Sequence, residues 1–234
     1  MTAIIRPRPW VQQPQFVTGF NLENQIGRKT IAFYTPPITG SAITPANTIK
    51  GKAFGFSGSS SINAGAVASA GRFTVVSGLI VSDGQDTDGA GEYIFGSNFN
   101  GASEPFVFRL SPSRQIYTGC YSYAGDTGSV THGVSLDIDK YVVAYARVGA
   151  ANAYDTWSSG VIVEGSISDS STTFTSSTRA GVNMYIGSGA NSGSLWRYYS
   201  KPIVWLALVD GHLSSAELLS MGANPWQVFR PRVT

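Results

Sequence analysis

The chain has 234 residues, 42% hydrophobic, 12% aromatic and only 13% charged. That apolar content excludes a disordered chain, and the absence of Ala, Glu, Lys, Leu and Arg enrichment excludes a helical bundle or coiled coil. A formal net charge of +2 gives no argument for nucleic acid, and no apolar run approaches the roughly 20 residues of a membrane helix.

The N-terminus MTAIIRPRPW lacks the pattern of a secretory signal. Residues 1–20 read as an extended arm, because Pro7, Pro9 and Pro14 each bias the preceding residue away from helix. The arm carries Arg6, Arg8, Trp10, Phe16 and Phe20. An extended segment does not bury its own rings, so they are expected to dock on the body or on another chain. Charge is uneven: residues 1–52 hold Arg6, Arg8, Arg28, Lys29, Lys50 and Lys52 against Glu23 alone, while residues 53–229 have a net charge of −5.

The middle of the chain reads as strand after strand. RFTVVSGLIV (72–81) is apolar and β-branched, and PFVFRL (105–110) places Phe106, Phe108 and Leu110 on one face. QIYTGCYSY (115–123) puts Ile116, Thr118 and Cys120 on one side and Tyr117, Tyr121 and Tyr123 on the other. KYVVAYARVG (140–149) is apolar on both faces, as a central strand would be, and GVIVEGS, VNMYIGS and KPIVWLALVD follow. Gly, Ser, Asn and Asp clusters separate these runs, the pattern of an all-β sandwich or jelly roll. The single Cys120 excludes an internal disulfide and is expected in the core.

One helix is predicted, over about residues 215–221. Ser214-Ser215-Ala216-Glu217 is a capping box, Leu213 and Leu218 occupy the positions of a hydrophobic staple, and Gly222 is placed to stop the helix in the left-handed region. The tail NPWQVFRPRVT repeats the chemistry of the arm with Trp226, Phe229, Arg230 and Arg232. The expected division is an arm at 1–20, a sandwich at 21–222 and a tail at 223–234.

Three segments resemble the laminin-G-like, concanavalin A-like family: Met184-Tyr185-Ile186-Gly187, Ile203-Val204-Trp205-Leu206-Ala207-Leu208 and Leu213-Ser214-Ser215-Ala216-Glu217. AFGFSGSSSIN (53–63) and LDIDKYVVAYARVG (136–149) are similar to earlier strands of that family. The resemblance covers about residues 50–222 and implies a concanavalin A-like jelly roll of two antiparallel sheets. Lys140-Tyr141-Val142-Val143 departs from the family pattern, as does the hairpin around Gly160–Gly165. The ending NPWQVF is similar to proteins of tailed bacteriophages, which often carry such domains.

Catalytic patterns are absent from the sequence. A glucanase on this fold uses an E-x-D-x-x-E strand, and none of Glu23, Glu92, Glu104, Glu164 and Glu217 has an Asp two residues on. Asp137 and Asp139 have the spacing but read as turn residues. There is no nucleophile elbow, P-loop, dinucleotide fingerprint or zinc pattern, and His132 and His212 are isolated. The chain is therefore expected not to be an enzyme. Asp83, Asp86 and Asp88 in SDGQDTDGAGEY offer hard oxygens, which suit calcium, though a solvated acidic loop has the same composition. No other cofactor is expected. Tyr121, Tyr123, Trp157, Trp196 and Tyr198 are candidates for stacking on sugars, since flat rings with polar edges suit them.

Two functions remain. The preferred one is a structural protein of a tailed-bacteriophage virion, a head, collar or tail component made in the host cytoplasm. In that reading Arg6, Arg8, Trp10, Phe16, Trp226, Phe229, Arg230 and Arg232 bind capsid, portal or tail partners, the chain forms homo-oligomers, and host surface glycans are a secondary contact. The alternative is a carbohydrate-binding, lectin-like module; a polysaccharide hydrolase ranks last.

Overall fold

Strand alternation needs two apolar layers facing each other, and among the described residues the chain supplies them as two eight-stranded sheets. The computed structural model describes residues 20–34, 44–48, 51–56, 61–66, 71–85, 89–99, 103–122, 128–176, 183–191 and 194–229. In chain order the elements begin with α1 (Gln25–Lys29), β1 (Thr30–Tyr34), β2 (Thr44–Thr48), β3 (Gly51–Gly55), β4 (Ile62–Ala66) and β5 (Phe73–Ile80). Then come β6 (Glu92–Phe99), β7 (Ser103–Leu110), β8 (Ile116–Ser122), β9 (Gly128–Thr131), β10 (Tyr141–Val148) and β11 (Tyr154–Val163). The chain continues with β12 (Ser166–Thr175), β13 (Asn183–Ile186), β14 (Gly189–Asn191), β15 (Ser194–Trp196), β16 (Ile203–Asp210), α2 (Ser215–Ala223) and a 3-10 helix (Pro225–Val228).

The first sheet has the order β12-β11-β10-β5-β16-β3-β2, with β1 also paired to β16. The second has the order β15-β14-β6-β7-β8-β9, with β13 paired to β4 and β6. Nearly all pairings are antiparallel; β14 runs parallel to β6. This is the two-sheet sandwich with a short C-terminal helix that the alternation predicts.

Between the sheets lies the main core. Phe73, Val75, Phe95, Phe106, Phe108, Ile116, Cys120, Trp157 and Leu208 are among its buried members. The inward set of β8 is the one read from alternation. β10 divides its residues as a central strand should, with Val142, Ala144 and Ala146 in the main core and Val143 and Tyr145 in a second cluster on the other face. Polar contacts seam the sheets along one side. Ser159 Oγ donates to the carbonyls of Ile116 and Val130, 3.2 Å each, and His132 Nε2 lies 2.9 Å from Ser168 Oγ. At the start of β5, Arg72 makes a two-pronged ion pair with Asp155 at 2.7 and 2.8 Å. The amides of Ala150 and Thr156 also donate to that carboxylate, and with Arg72 they hold its pKa well below the usual range.

The second cluster covers the outer face of the first sheet. α1, α2 and the 3-10 helix lie on it and bury Ile26, Leu213, Leu218, Met221, Trp226, Val228 and Phe229 against Val76, Val204, Trp205, Ala207 and Val209. The capping box is present: the Glu217 amide donates to Ser214 Oγ, and the Ser214 amide donates back to Glu217 at 2.8 Å. Lys29 Nζ sits 2.7 Å from Glu217, joining α1 to α2. Leu213 and Leu218 are both buried, as the staple requires.

Three expectations are corrected. Gly222 does not stop α2 in the left-handed region: the helix continues to Ala223, and Asn224 ends it at φ −150°. Gly222 instead lets the helix lie close to β11, where a Cβ would meet the Ile162 side chain at 3.1 Å. The first part of the expected tail at 223–234 packs into the body. Trp226 and Phe229 are 6% and 3% exposed, and the Phe229 ring meets Phe33 at 4.7 Å and stacks on Phe20 at 6.1 Å. These two rings, read as anchors for another chain, are buried in their own body. Arg6, Arg8, Trp10, Phe16, Arg230 and Arg232 lie outside the described residues.

The hairpin around Gly160–Gly165, a departure from the family pattern, closes with two residues between β11 and β12. Glu164 at φ +50° and Gly165 at φ +77° form it, both left-handed as a tight right-twisted hairpin demands.

Candidate functional site

The outer face of the second sheet is built from a different set of side chains. Strand register aligns one residue from each of four neighbouring strands: Tyr93 of β6 opposite Arg109 of β7, Arg109 opposite Tyr117 of β8, and Tyr117 opposite Thr131 of β9. Tyr198 extends the row on the other side through a parallel bridge to Tyr93. The row thus runs across the strands. Its sequence basis is simple. In PFVFRL the three apolar residues that face the core leave Arg109 on the outside, and in β8 the same alternation leaves Tyr117 there.

The arginines of this face lie on rings. The Arg109 guanidinium is 4.3 Å from the centre of the Tyr117 ring. The Arg197 guanidinium is 3.9 Å from the Trp196 ring and 5.6 Å from that of Tyr93, and its Nη1 donates to the Tyr93 hydroxyl at 3.0 Å. Trp196 meets Tyr93 edge to face at 6.5 Å. Tyr93 itself is fully buried, because its ring lies over Gly96 and Gly189, where any Cβ would collide with it. Trp196, Arg197, Tyr198 and Arg109 are half-buried.

Arg197 is also held in an uncommon backbone conformation. Its φ is +53°, in the left-handed region that costs a non-glycine residue about 1–2 kcal/mol. The neighbours impose it: the Arg197 carbonyl accepts from the Tyr93 amide at 2.8 Å, and the Tyr199 amide donates to the Gly187 carbonyl at 2.9 Å.

The sugar-stacking candidates separate. Trp196 and Tyr198 come together at the β6 end of this face. Tyr198 is steadied by a hydrogen bond from its hydroxyl to the Leu195 carbonyl at 3.2 Å. Trp157 is corrected: it is fully buried in the main core between Phe106 and Phe174, with ring centres 6.3 and 4.9 Å away, so neither of its faces reaches a ligand. Tyr121 belongs to β8, but its side chain lies outside the described residues, as does Tyr123. Arg109, Arg197 and Tyr93 did not figure among the candidates. The signal that points to Arg109 is its outward parity beside an aromatic strand.

The acidic loop is partly described. Asp83 is exposed, and its carboxylate accepts from the Gln85 amide at 3.1 Å, a local turn contact; Asp86 and Asp88 lie outside the described residues. Among the described residues no group of three or more His, Cys, Asp or Glu is placed to hold a metal. Glu92 is buried beside the loop, accepts from the Ser200 amide at 3.3 Å, and is pushed above the usual carboxylate range by burial. Asp139 is a turn residue at φ +64°, paired with Lys201 at 2.8 Å. His212 donates from Nε2 to the Val148 carbonyl at 3.0 Å, and burial lowers the pKa of both histidines.

No protein-family model matches the sequence, and no curated protein matches it. Solved structures do match the fold. Domain 4 of AbnA, an extracellular GH43 arabinanase from Geobacillus stearothermophilus in complex with arabinotriose, is 16% identical. Its TM-score is 0.57 over 78% of this chain and 82% of that one. The CBM40 of the Ruminococcus gnavus IT-sialidase, bound to alpha2,3 sialyllactose, is 9% identical with a TM-score of 0.56 over 82% of this chain and 99% of that one. A Trypanosoma rangeli sialidase in complex with 2,3-difluorosialic acid is 13% identical with a TM-score of 0.53, over 84% of this chain and 33% of that chain. At these identities the likeness shows the fold, a β-sandwich of the concanavalin A or lectin-like kind.

Proposed function

We propose that this chain is a non-catalytic carbohydrate-binding module whose ligand lies along the row on the outer face of the second sheet. The observation that supports it is the row itself: Trp196 and Tyr198 at one end, Tyr93 in the middle, and two ring-stacked arginines beside it. The half-buried side chains at the Trp196 and Tyr198 end combine ring surface with polar edges, the chemistry that suits a sugar. The row spans about 14 Å from Tyr198 to Tyr117 at ordinary strand spacing, the reach of a short oligosaccharide and more than a single sugar needs. Two of the structural neighbours were solved with oligosaccharides, which agrees with this reading.

The virion reading is not preferred. It drew on the proline-, aromatic- and arginine-rich ends, of which Trp226 and Phe229 pack on their own body while Trp10 and Phe16 lie outside the described residues. The structural neighbours named above are glycan-binding or glycan-processing proteins.

A glycan array followed by calorimetry tests the proposal. The full chain is expected to bind at least one oligosaccharide, and Trp196→Ala to weaken it at least about tenfold, some 1.4 kcal/mol, with an unchanged melting curve. A parent chain that binds no glycan, or a variant that binds as the parent does, overturns it.

A further inference from the structure

We infer that a second copy of this chain docks on the outer edge of β12, and that the two β12 strands pair antiparallel about Ser171 to join the two first sheets into one. β12 ends its sheet: among the described residues it pairs with β11 alone, through all ten residues from Ser166 to Thr175 and without a bulge. A strand edge presents a row of amides and carbonyls that templates another strand, so proteins keep such edges short or interrupt them with proline, lysine or bulges. The strands at the other three ends of the two sheets follow that rule. β2 has five residues and contains Pro45, β9 has four residues and β15 has three. SISDSSTTFT carries none of those devices over its ten residues.

A Cβ on Gly160 of β11 would meet the Ser168 carbonyl oxygen at 2.6 Å, and the Ser176 carbonyl accepts from the Asn152 amide at 3.0 Å. The even-numbered residues of β12 therefore turn their amides and carbonyls toward β11, while Ile167, Asp169, Ser171, Thr173 and Thr175 turn theirs outward. The strand is also held in place by its side chains. Ser168 Oγ lies 2.9 Å from His132 Nε2, and the Phe174 ring lies 4.9 Å from that of Trp157. Asp169 accepts from the Tyr145 hydroxyl at 2.9 Å and from Arg147 at 3.1 Å. An edge already ordered in this way loses little conformational freedom when another strand joins it.

The side chains select the occupant. A foreign strand added to a sheet edge is chosen by pockets for its alternate side chains. The exposed residues of β12 are serines and threonines, with Asp169 the one charge of the strand, and such hydroxyls pair across strands with their own kind. Antiparallel pairing centred on Ser171 sets Ser171 opposite its own copy, Asp169 opposite Thr173 and Ile167 opposite Thr175. Asp169 then never faces itself, as it would in pairing centred on Asp169, where like charges oppose each other.

Sedimentation equilibrium of the full chain and of two lysine variants tests the inference. The parent is expected to dimerise as its concentration rises. Ser171→Lys sets like charges opposite each other across the two-fold axis and should weaken the dimer at least about tenfold. Thr173→Lys puts the same charge on the same edge, but opposite Asp169 of the other copy, and should hold the dimer at least as tightly as the parent does. Both side chains are exposed, so both variants should keep the parent's circular-dichroism spectrum. Hydrogen exchange gives a readout on the parent alone: the outward amides of Ser171 and Thr173 should exchange more slowly in the dimer than in dilute protein.

A parent that stays monomeric at every concentration overturns the inference, as does a dimer that Ser171→Lys leaves intact. Loss of the dimer in both variants also overturns it, because any lysine on the edge would then suffice and the pairing about Ser171 would be wrong. Amides of Ser171 and Thr173 that exchange alike in dilute and concentrated protein place the contact on another surface.

Discussion

Trp205 and Trp196 occupy outward positions on opposite sheets, and their surroundings differ. Trp205 is fully buried, its ring stacked on Phe33 at 5.7 Å and its indole N–H donating to the Tyr141 hydroxyl at 3.1 Å, beneath the layer that α1, α2 and the 3-10 helix form. Trp196 is half-buried, with a guanidinium on its face and the edge of Tyr93 at its side. The same alternation produced both positions. What differs is the cover. One sheet receives a hydrophobic lid from elsewhere in the chain, and the other is finished with arginine and tyrosine from its own strands. A sandwich needs only its inner faces for a core, so the outer face that no helix among the described residues covers can take polar chemistry.

The comparison is broken most sharply by truncating the two tryptophans in turn. Trp205→Ala is expected to cost about 3–5 kcal/mol in urea unfolding, because its site is closed on all sides, Gly78 included, where a Cβ would strike the indole. Trp196→Ala is expected to cost less than about 1 kcal/mol, in the range of surface substitutions. Equal costs would mean that the second face is a structural layer like the first.

A smaller effect should come from pH, through the seam between the sheets. Burial holds His132 and His212 below the ordinary histidine value of about 6.5. The unfolded chain therefore binds protons that the folded chain refuses, and stability contributed by neutral histidine falls as pH drops below that value. Glu92, raised by burial, has the opposite sign. The measurement is therefore the difference in melting temperature between the parent and H132N/H212N from pH 7 to 5, which should shift against the parent as pH falls. Asp155, held low by Arg72, adds a separate loss only below about pH 4, where the unfolded carboxylate takes its proton.

The smallest expected change is a gain. Glu164→Asn places at the hairpin tip the residue that tolerates φ +50°, and should add under about 1 kcal/mol. Chemical denaturation checks it, and a loss would mean that the Glu164 side chain contributes to the turn.

Much of the sandwich was legible because local rules decide it. Alternation placed Ile116 and Cys120 inside, the double-faced pattern placed β10 in the middle of its sheet, and Ser214 with Glu217 marked the start of α2. Local rules misread positions where a distant partner decides. Gly222 carries a stop signal, yet its role is to clear the Ile162 side chain. Trp157 looks like a loop-edge aromatic until Phe106, about fifty residues earlier, packs on it. The site was half legible. Trp196 and Tyr198 announce themselves by composition, but Arg109 joins Tyr93 and Tyr117 only through the register of three strands, and no single segment contains that information.

β16 lies between β5 on one side and β1 and β3 on the other, pairing Ala207 with Val76 and with Phe33. The strand at the centre of the first sheet is thus made after every strand it pairs with. Until it emerges, β5 and β1 each expose an unsatisfied row of amides and carbonyls, with apolar side chains above and below. Assembly of that sheet must wait for β16 to emerge, and the long sequence separation of its pairs makes closure slow. Expression at lower temperature, or with chaperones that shield strand edges, should accordingly decide how much of this polypeptide reaches its native state.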